Sequence, residues 1–381
     1  MAVYSIVERA KYMTSEERMI TAMLNKQPDT VPVAPDMSNM IPCRLTGLPW
    51  WDIYLYRKIP LWKAYIRALN HFNFDGWLPY YMEVEYLDEN TYIVEQTPER
   101  IVTRRMEKVN GQERWSGRVV IYAKDNPATD KNADILGMSA PPKWYEPVDV
   151  SQIPPQKTDI EMYDEVKAEM GTHGVVGMPV WLPGVMSPEG IYEYYDDYNS
   201  VKERSLFSEA EAVRYTKNIL EKKPDFVFLG YSGGLTFQTP EMFRDLALPA
   251  LQKVTALCRA AGVPSQLHCC GRSRALVEMA ANESDLDSIN PLEIPPMGDC
   301  DLAEVKRSCG SKIGLMGNLH TTSVMLFGTP DEVAAASRKA IDDAAYGGGF
   351  ILSTGDQCGR DTPDENIFTM IETARTYGKY A

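Results

Sequence analysis

Phe350-Ile351-Leu352-Ser353, followed by Thr362-Pro363-Asp364-Glu365, is the stretch that decides the fold. A short apolar run ends in a loop, and the loop ends in Thr-Pro, the residues favoured at the N-cap and first position of a helix. The same phrase recurs upstream. Val175-Val176-Gly177-Met178 precedes Ser187-Pro188-Glu189, Phe226-Val227-Phe228-Leu229 precedes Thr239-Pro240-Glu241, and Ile313-Gly314-Leu315-Met316 precedes Thr329-Pro330-Asp331-Glu332. Thr329 with Glu332 and Thr362 with Glu365 also have the spacing of a capping box. Further strands are expected over residues 31–34, near Gly76-Trp77-Leu78, and over 263–268 and 288–293. Strand, loop and helix repeated this often predict an α/β fold of the TIM (β/α)8 barrel type. An open doubly wound sheet is the fallback, but no Gly-x-Gly-x-x-Gly follows an early strand.

Two departures from the repeat are expected. Thr14-Ser15-Glu16-Glu17 is a capping box ahead of Met19, Ile20, Met23 and Leu24 at helical spacing, which predicts an N-terminal helical extension. Between Arg100 and Ala123, two β-rich runs flank Asn110-Gly111, a hairpin signal. The chain is therefore read as one barrel domain over 1–381, with 85–158 an insertion containing a β-hairpin.

The 381 residues are 44% hydrophobic and 10% aromatic, enough for a large core. The formal net charge of -14 argues against nucleic acid, whose phosphates need clustered Lys and Arg. It also argues against a site built mainly to hold a polyanion. No apolar run approaches the length of a membrane helix and no signal-peptide core follows Met1, so neither a membrane nor secretion is expected. Seven cysteines, an odd number, then suggest a reducing cytoplasm with thiols free for metal or packing.

The chemistry concentrates in Leu267-His268-Cys269-Cys270-Gly271. In a strand, residues two apart share a face, so His268 and Cys270 point together while Cys269 points away. Cys358 lies just after the last expected strand, and in a barrel both segments reach the catalytic rim. One imidazole and two thiolates with a fourth position open would make a catalytic zinc site. Buried packing cysteines and a core histidine are the bland alternative, and Cys43, Cys258, Cys300 and Cys309 are read that way.

Phe228-Leu229-Gly230-Tyr231-Ser232-Gly233-Gly234, His268-Cys269-Cys270-Gly271, Gly317-Asn318-Leu319, Gly328-Thr329-Pro330 and Asp361-Thr362-Pro363-Asp364-Glu365-Asn366 resemble the uroporphyrinogen decarboxylase superfamily, over roughly residues 205 to 378. The decarboxylases of that superfamily carry an N-terminal arginine-rich stretch that grips substrate carboxylates. Here the corresponding region reads Pro35-Asp36-Met37-Ser38-Asn39-Met40, with no arginine before Arg44. The corrinoid-linked methyltransferases of the same superfamily carry His-x-Cys followed much later by Cys. His268, Cys270 and Cys358 match that pattern, and by resemblance would bind Zn2+.

The resemblance implies two jobs: moving a methyl group from a corrinoid protein to a small thiol, or moving one from a methoxylated aromatic to the cobalt(I) of a corrinoid partner. The second, an O-demethylase component, is the expectation. Tyr80, Tyr81, Trp181 and Tyr231 are aromatic groups near expected strand ends that can wall a flat apolar pocket, with Tyr80, Trp181 and Tyr231 named for substrate binding. Asp356 and Glu293 are candidates for a fourth metal ligand or a proton donor, and His320 for a donor to the substrate, with loop residues of no chemical role as the alternative. The four histidines, at 71, 173, 268 and 320, offer no Asp-x-His-x-x-Gly motif, so the cobalamin would be carried by the partner. A homodimer is compatible with the sequence. The alternatives are a thiol methyltransferase, a tetrapyrrole decarboxylase and a metal-free, non-catalytic barrel.

Overall fold

The computed structural model describes residues 12–80 and 87–380. Tyr81 and the first two residues of the expected insertion, 85 and 86, lie outside the described residues.

Seven parallel strands form one sheet: β1 (Gly76–Leu78), β7 (Gly174–Trp181), β8 (Phe226–Gly230), β9 (Ser265–His268), β10 (Ser288–Asn290), β11 (Gly314–Leu319) and β12 (Phe350–Thr354), neighbours in that order. Residues 31–34 close the circle between the last strand and the first. Val33 bridges Leu352 in parallel, the Leu352 N–H donates to Pro32 O and the Ala34 N–H to Leu352 O, both at 2.9 Å. On the other side the Asp75 N–H donates to Val33 O at 2.9 Å, and the Asp75 carboxylate accepts the Val33 N–H at 2.9 Å. Pro32 and Pro35 have no N–H, so this eighth staple cannot lengthen into a regular ladder. The expected TIM barrel is therefore present, with one member reduced to an isolated bridge.

Strand parity separates two cores. Ala34, Trp77, Val175, Phe226, Phe228, Met316 and Ile351 fill the barrel interior. Helix α1 (Ser15–Met23), started by the Thr14–Glu17 capping box, closes the bottom with Met19, Ala22 and Met23. The alternate residues, among them Val176, Val227, Leu229, Leu267, Ile289, Leu315 and Leu352, face the surrounding helices in a separate cluster. Within this interior Trp77 Nε1 donates to Gln266 Oε1 at 2.7 Å, so each meets a partner.

The expected helix starts hold with one correction. Ser187, Thr239 and Thr329 cap their helices as read, Thr329 with a full capping box. Thr362 does not: its helix begins at Asp364 with Pro363 at the N-cap, and Thr362 is buried beside Cys358.

Between β1 and β7 the chain builds more than a hairpin. β2 (Thr91–Gln96), β3 (Arg100–Val109), β4 (Gln112–Ala123), β5 (Thr129–Asn132) and β6 (Glu146–Pro147) form an antiparallel sheet in the order β5-β4-β3-β2-β6. The β3–β4 turn falls on Asn110-Gly111, both at positive φ (53° and 79°), as a two-residue hairpin requires. The sheet is tied to the barrel rim. The Trp50 N–H donates to Lys124 O at 2.8 Å, and Arg360 pairs with Asp125 at 2.8 Å.

Candidate functional site

The C-terminal ends of the strands gather the chemistry. On β9, Gln266 and His268 face the interior, while Leu267 and Cys269 join the outer core, as the alternation requires. The His268 ring lies 5.8 Å from that of Phe228, which lies 5.8 Å from that of Tyr80. The chain then turns at Gly271, whose φ of +77° suits glycine and whose position allows no Cβ beside the Thr236 hydroxyl. That turn aims the Gly271 N–H at the Glu293 carboxylate and the Arg272 N–H at Thr236 Oγ1 (3.1 Å).

His268 is 8% exposed, its Nδ1 is enclosed, and that nitrogen has no hydrogen-bond partner. Burial pushes its pKa down, opposed by Asp356 and by the Asn290 carboxamide. Cys270 is half-buried, and burial pushes its thiol up to about 11, with Asp356 and Glu293 adding to the rise. Cys358 is fully buried and pushed up to about 12, first by burial and then by Asp36. Its N–H donates to Asp36 O at 2.8 Å, and its carbonyl accepts from Ser38 Oγ at 3.2 Å. Burial and nearby carboxylates thus favour the protonated form of both thiols.

Asp356 is the hub. It acts electrostatically on His268, Cys270, Glu293, Asp36, Tyr80 and Cys358. Its φ of +141° is rare for a residue with a side chain, and the loop holds it there: Thr354 Oγ1 donates to Asp356 O at 2.7 Å and accepts the Asp36 N–H at 3.0 Å. Glu293 is buried and its pKa raised, chiefly by desolvation.

The structure brings His268, Cys270, Asp356, Glu293 and Tyr80 to one mouth, and Cys358 to its edge. Among the described residues, however, no three His, Cys, Asp or Glu side chains converge on a ready-made metal position. Cys358 has the Thr354 and Thr362 hydroxyls beside its sulfur. In kind, the donor set suits zinc: an imidazole with an orphaned buried nitrogen and two thiols that a dication would deprotonate.

Tyr231 does not join the mouth. It is buried in the outer core with its ring 5.2 Å from Phe243 and its hydroxyl near Cys269, because it continues the outward parity of Val227 and Leu229. Trp181 stands at the rim, 61% exposed, with its ring over Gly230 where a Cβ would sit. His320 caps the turn after β11: its Nδ1 accepts the Thr322 and Ser323 N–H groups, both at 3.1 Å, so its proton must sit on Nε2. With Glu293, Met297 and Asn318 it lines a small crevice opening from the mouth.

Two residues escaped the sequence reading. Asp36 is enclosed at the mouth with its pKa pushed up to about 7 by burial and then by Asp356, against the Ser38 N–H it accepts. It follows Ala34 by two residues, so the inward parity of residues 31–34 was its signal. Asn290, the register partner of His268 on β10, is the other.

A family model described as "Uroporphyrinogen decarboxylase (URO-D)" matches residues 158–377. A methylcobamide:CoM methyltransferase, MtbA, of Methanosarcina mazei is 26% identical over 168 residues, 43% of this chain and 46% of that protein. A uroporphyrinogen decarboxylase of Nitrosomonas europaea is 32% identical over 72 residues, 19% of this chain and 20% of that one. The chain thus spans at most about half the length of the curated relatives it matches. Among solved structures, a methyltransferase from Methanosarcina mazei superposes with a TM-score of 0.64 at 16% identity, over 96% of this chain and 99% of that one, a likeness of fold. No helix among the described residues is long and apolar enough to cross a membrane. With the family model covering more than half of the 381 residues, and β7 to β12 all inside the match, the chain belongs to the uroporphyrinogen decarboxylase family.

Proposed function

We propose that the protein is a zinc-dependent methyltransferase that moves a methyl group from a small methoxylated aromatic to the cobalt(I) of a separate corrinoid protein. The observation that carries this reading is the C-terminal end of β9: His268 faces the barrel interior there, and Asp356 acts electrostatically on His268, Cys270 and Cys358 alike. His268, Cys270 and Cys358 would hold the ion. Zinc there would act as a Lewis acid on the ether oxygen, making the phenolate a better leaving group.

The chain's own residues divide the remaining work. Tyr80 and Phe228 form an aromatic wall beside His268, and Trp181 offers a further ring at the rim. Burial, with repulsion from Asp356, keeps Asp36 and Glu293 ready to carry a proton, and either can deliver it to the departing phenolate oxygen. His320 presents Nε2–H as a donor to a second substituent on the substrate. The methyl carbon leaves oxygen as cobalt(I) supplies the electron pair, giving methyl-cobalt(III) and a phenol. Seven unpaired cysteines suit a reducing cytoplasm.

A thiol acceptor is the second reading, favoured by the methylcobamide:CoM activity in the name of the M. mazei relative. A tetrapyrrole decarboxylase is disfavoured, because Asp356 would repel substrate carboxylates and the acids Asp36 and Glu293 beside it bring no positive charge to hold them.

The test is metal analysis of wild type beside Cys358→Ser, followed by methyl transfer from methoxyarenes to a reduced corrinoid protein, read as the cobalt(I) to methyl-cobalt(III) spectral change. One zinc per wild-type chain, and much less in the variant, is expected. Equal zinc in both would end the ligand assignment. Transfer only to thiols would select the second reading.

A further inference from the structure

His268 and Asn290 are register partners on adjacent parallel strands, β9 and β10. His268 faces the interior. Parity puts Asn290 on the side opposite Ile289, which joins the outer core, so Asn290 faces inward as well. Asn290 is 2% exposed, and its Oδ1, like His268 Nδ1, has no hydrogen-bond partner. Two buried polar atoms of complementary capacity on paired residues, both unsatisfied, are costly unless they serve each other when the site is loaded. The two atoms stop short of hydrogen-bond geometry.

We infer that Asn290 is a positioning residue: its Oδ1 accepts from His268 Nδ1–H, which fixes the tautomer and turns the Nε2 lone pair toward the barrel mouth. A ligating imidazole commonly has its other N–H held by an acceptor outside the coordination sphere, and losing that partner weakens metal binding. Here the acceptor is an uncharged amide. It orients the ring without adding another carboxylate to a mouth that already contains Asp36, Asp356 and Glu293. The inference rests on the zinc reading proposed above.

The experiment measures zinc affinity by chelator competition, together with the thermal midpoint of the zinc-free protein, for wild type, Asn290→Leu and Asn290→Asp. Leucine should weaken zinc binding about 10- to 100-fold while leaving the zinc-free midpoint unchanged or higher, since it removes an unsatisfied buried oxygen. Aspartate, which keeps the acceptor, should retain wild-type affinity. A purely structural role would lower the zinc-free midpoint and leave affinity alone. Wild-type affinity in Asn290→Leu, or equal losses in both variants, would overturn the inference. A wild-type chain that binds no stoichiometric zinc would overturn it along with the metal reading, and that result appears before any variant is made. If the leucine variant does not fold, Asn290→Ala against Asn290→Asp makes the same comparison.

Discussion

Asp75→Asn should open the barrel at its weakest seam. The Asp75 carboxylate is 5% exposed and does two jobs: one oxygen accepts Arg18 Nη1 at 2.7 Å, the other the Val33 N–H at 2.9 Å. The second bond holds residues 31–34, which have little ladder of their own between Pro32 and Pro35. Asparagine keeps the shape but presents an NH2 to one of two donors, so one charge-assisted bond is lost and a donor faces a donor. Arg18 retains Asp29 at 2.7 Å and Met13 O at 3.0 Å, but its largely buried guanidinium loses half its compensation. Losing one charged bond and unbalancing a buried pair should together cost about 4 kcal/mol. With unfolding entropy scaling with chain length, that loss lowers the melting temperature by about 5 °C. Residues 36–38 pin the Cys358 backbone by two hydrogen bonds, one from the Ser38 hydroxyl, so zinc content should fall with stability. Denaturant unfolding with zinc analysis is the assay. A variant within about 1 kcal/mol of wild type, well below the cost of unbalancing a buried pair, would refute the claim that Asp75 closes the barrel.

Three further outcomes are expected. Burial lowers the pKa of Lys306 to about 8, and its Nζ donates to Gly348 O at 2.6 Å. Between pH 8 and the ordinary lysine range near 10.5 the unfolded chain binds more protons than the folded one, so stability should rise with pH across that window. Lys306→Met should flatten that rise by up to about 3 kcal/mol in urea unfolding at pH 7.5 against pH 10, and an unchanged slope would contradict the burial effect. Gly271→Ala forces a left-handed φ and a Cβ against Thr236, costing about 2 kcal/mol; the strain should appear in both chemical unfolding and zinc content. Trp181→Ala, at an exposed rim position, should cost under about 1 kcal/mol of stability yet raise KM for a methoxyarene several-fold with kcat little changed. An unmoved KM would remove Trp181 from the pocket.

The barrel was legible because parallel strands buried on both faces are written as uninterrupted apolar runs, and each run is followed by its own helix start. The inward placement of His268 was legible from strand parity alone. Parity also explains two errors. Tyr231 stays in phase with Val227 and Leu229, so its strand turns it outward although it lies at the correct end of the barrel. Asp36 stays in phase with Ala34 and reaches the mouth, although the stretch around it is most easily noticed for the arginine it lacks. The inserted sheet was only partly legible, for a different reason. Asn110-Gly111 declares its turn locally, whereas β5 is four exposed polar residues, Thr129–Asn132, that become a strand only because Val119, Val120 and Ile121 of β4 offer them a ladder.

Cys358 marks the limit of what spacing can say. Motif and topology carry it to the same end of the barrel as His268, but its depth depends on contacts with residues 36–38, more than 300 positions away. Those contacts bury the thiol and hold it protonated, while Asp36 and Asp356 make the surrounding field negative. A dication entering such a field is attracted by the carboxylates and displaces the thiol protons, whereas an anion is repelled. On the proposed zinc reading the same acidic mouth would serve two ends: it would draw in the ion, and it would turn away a polycarboxylate substrate.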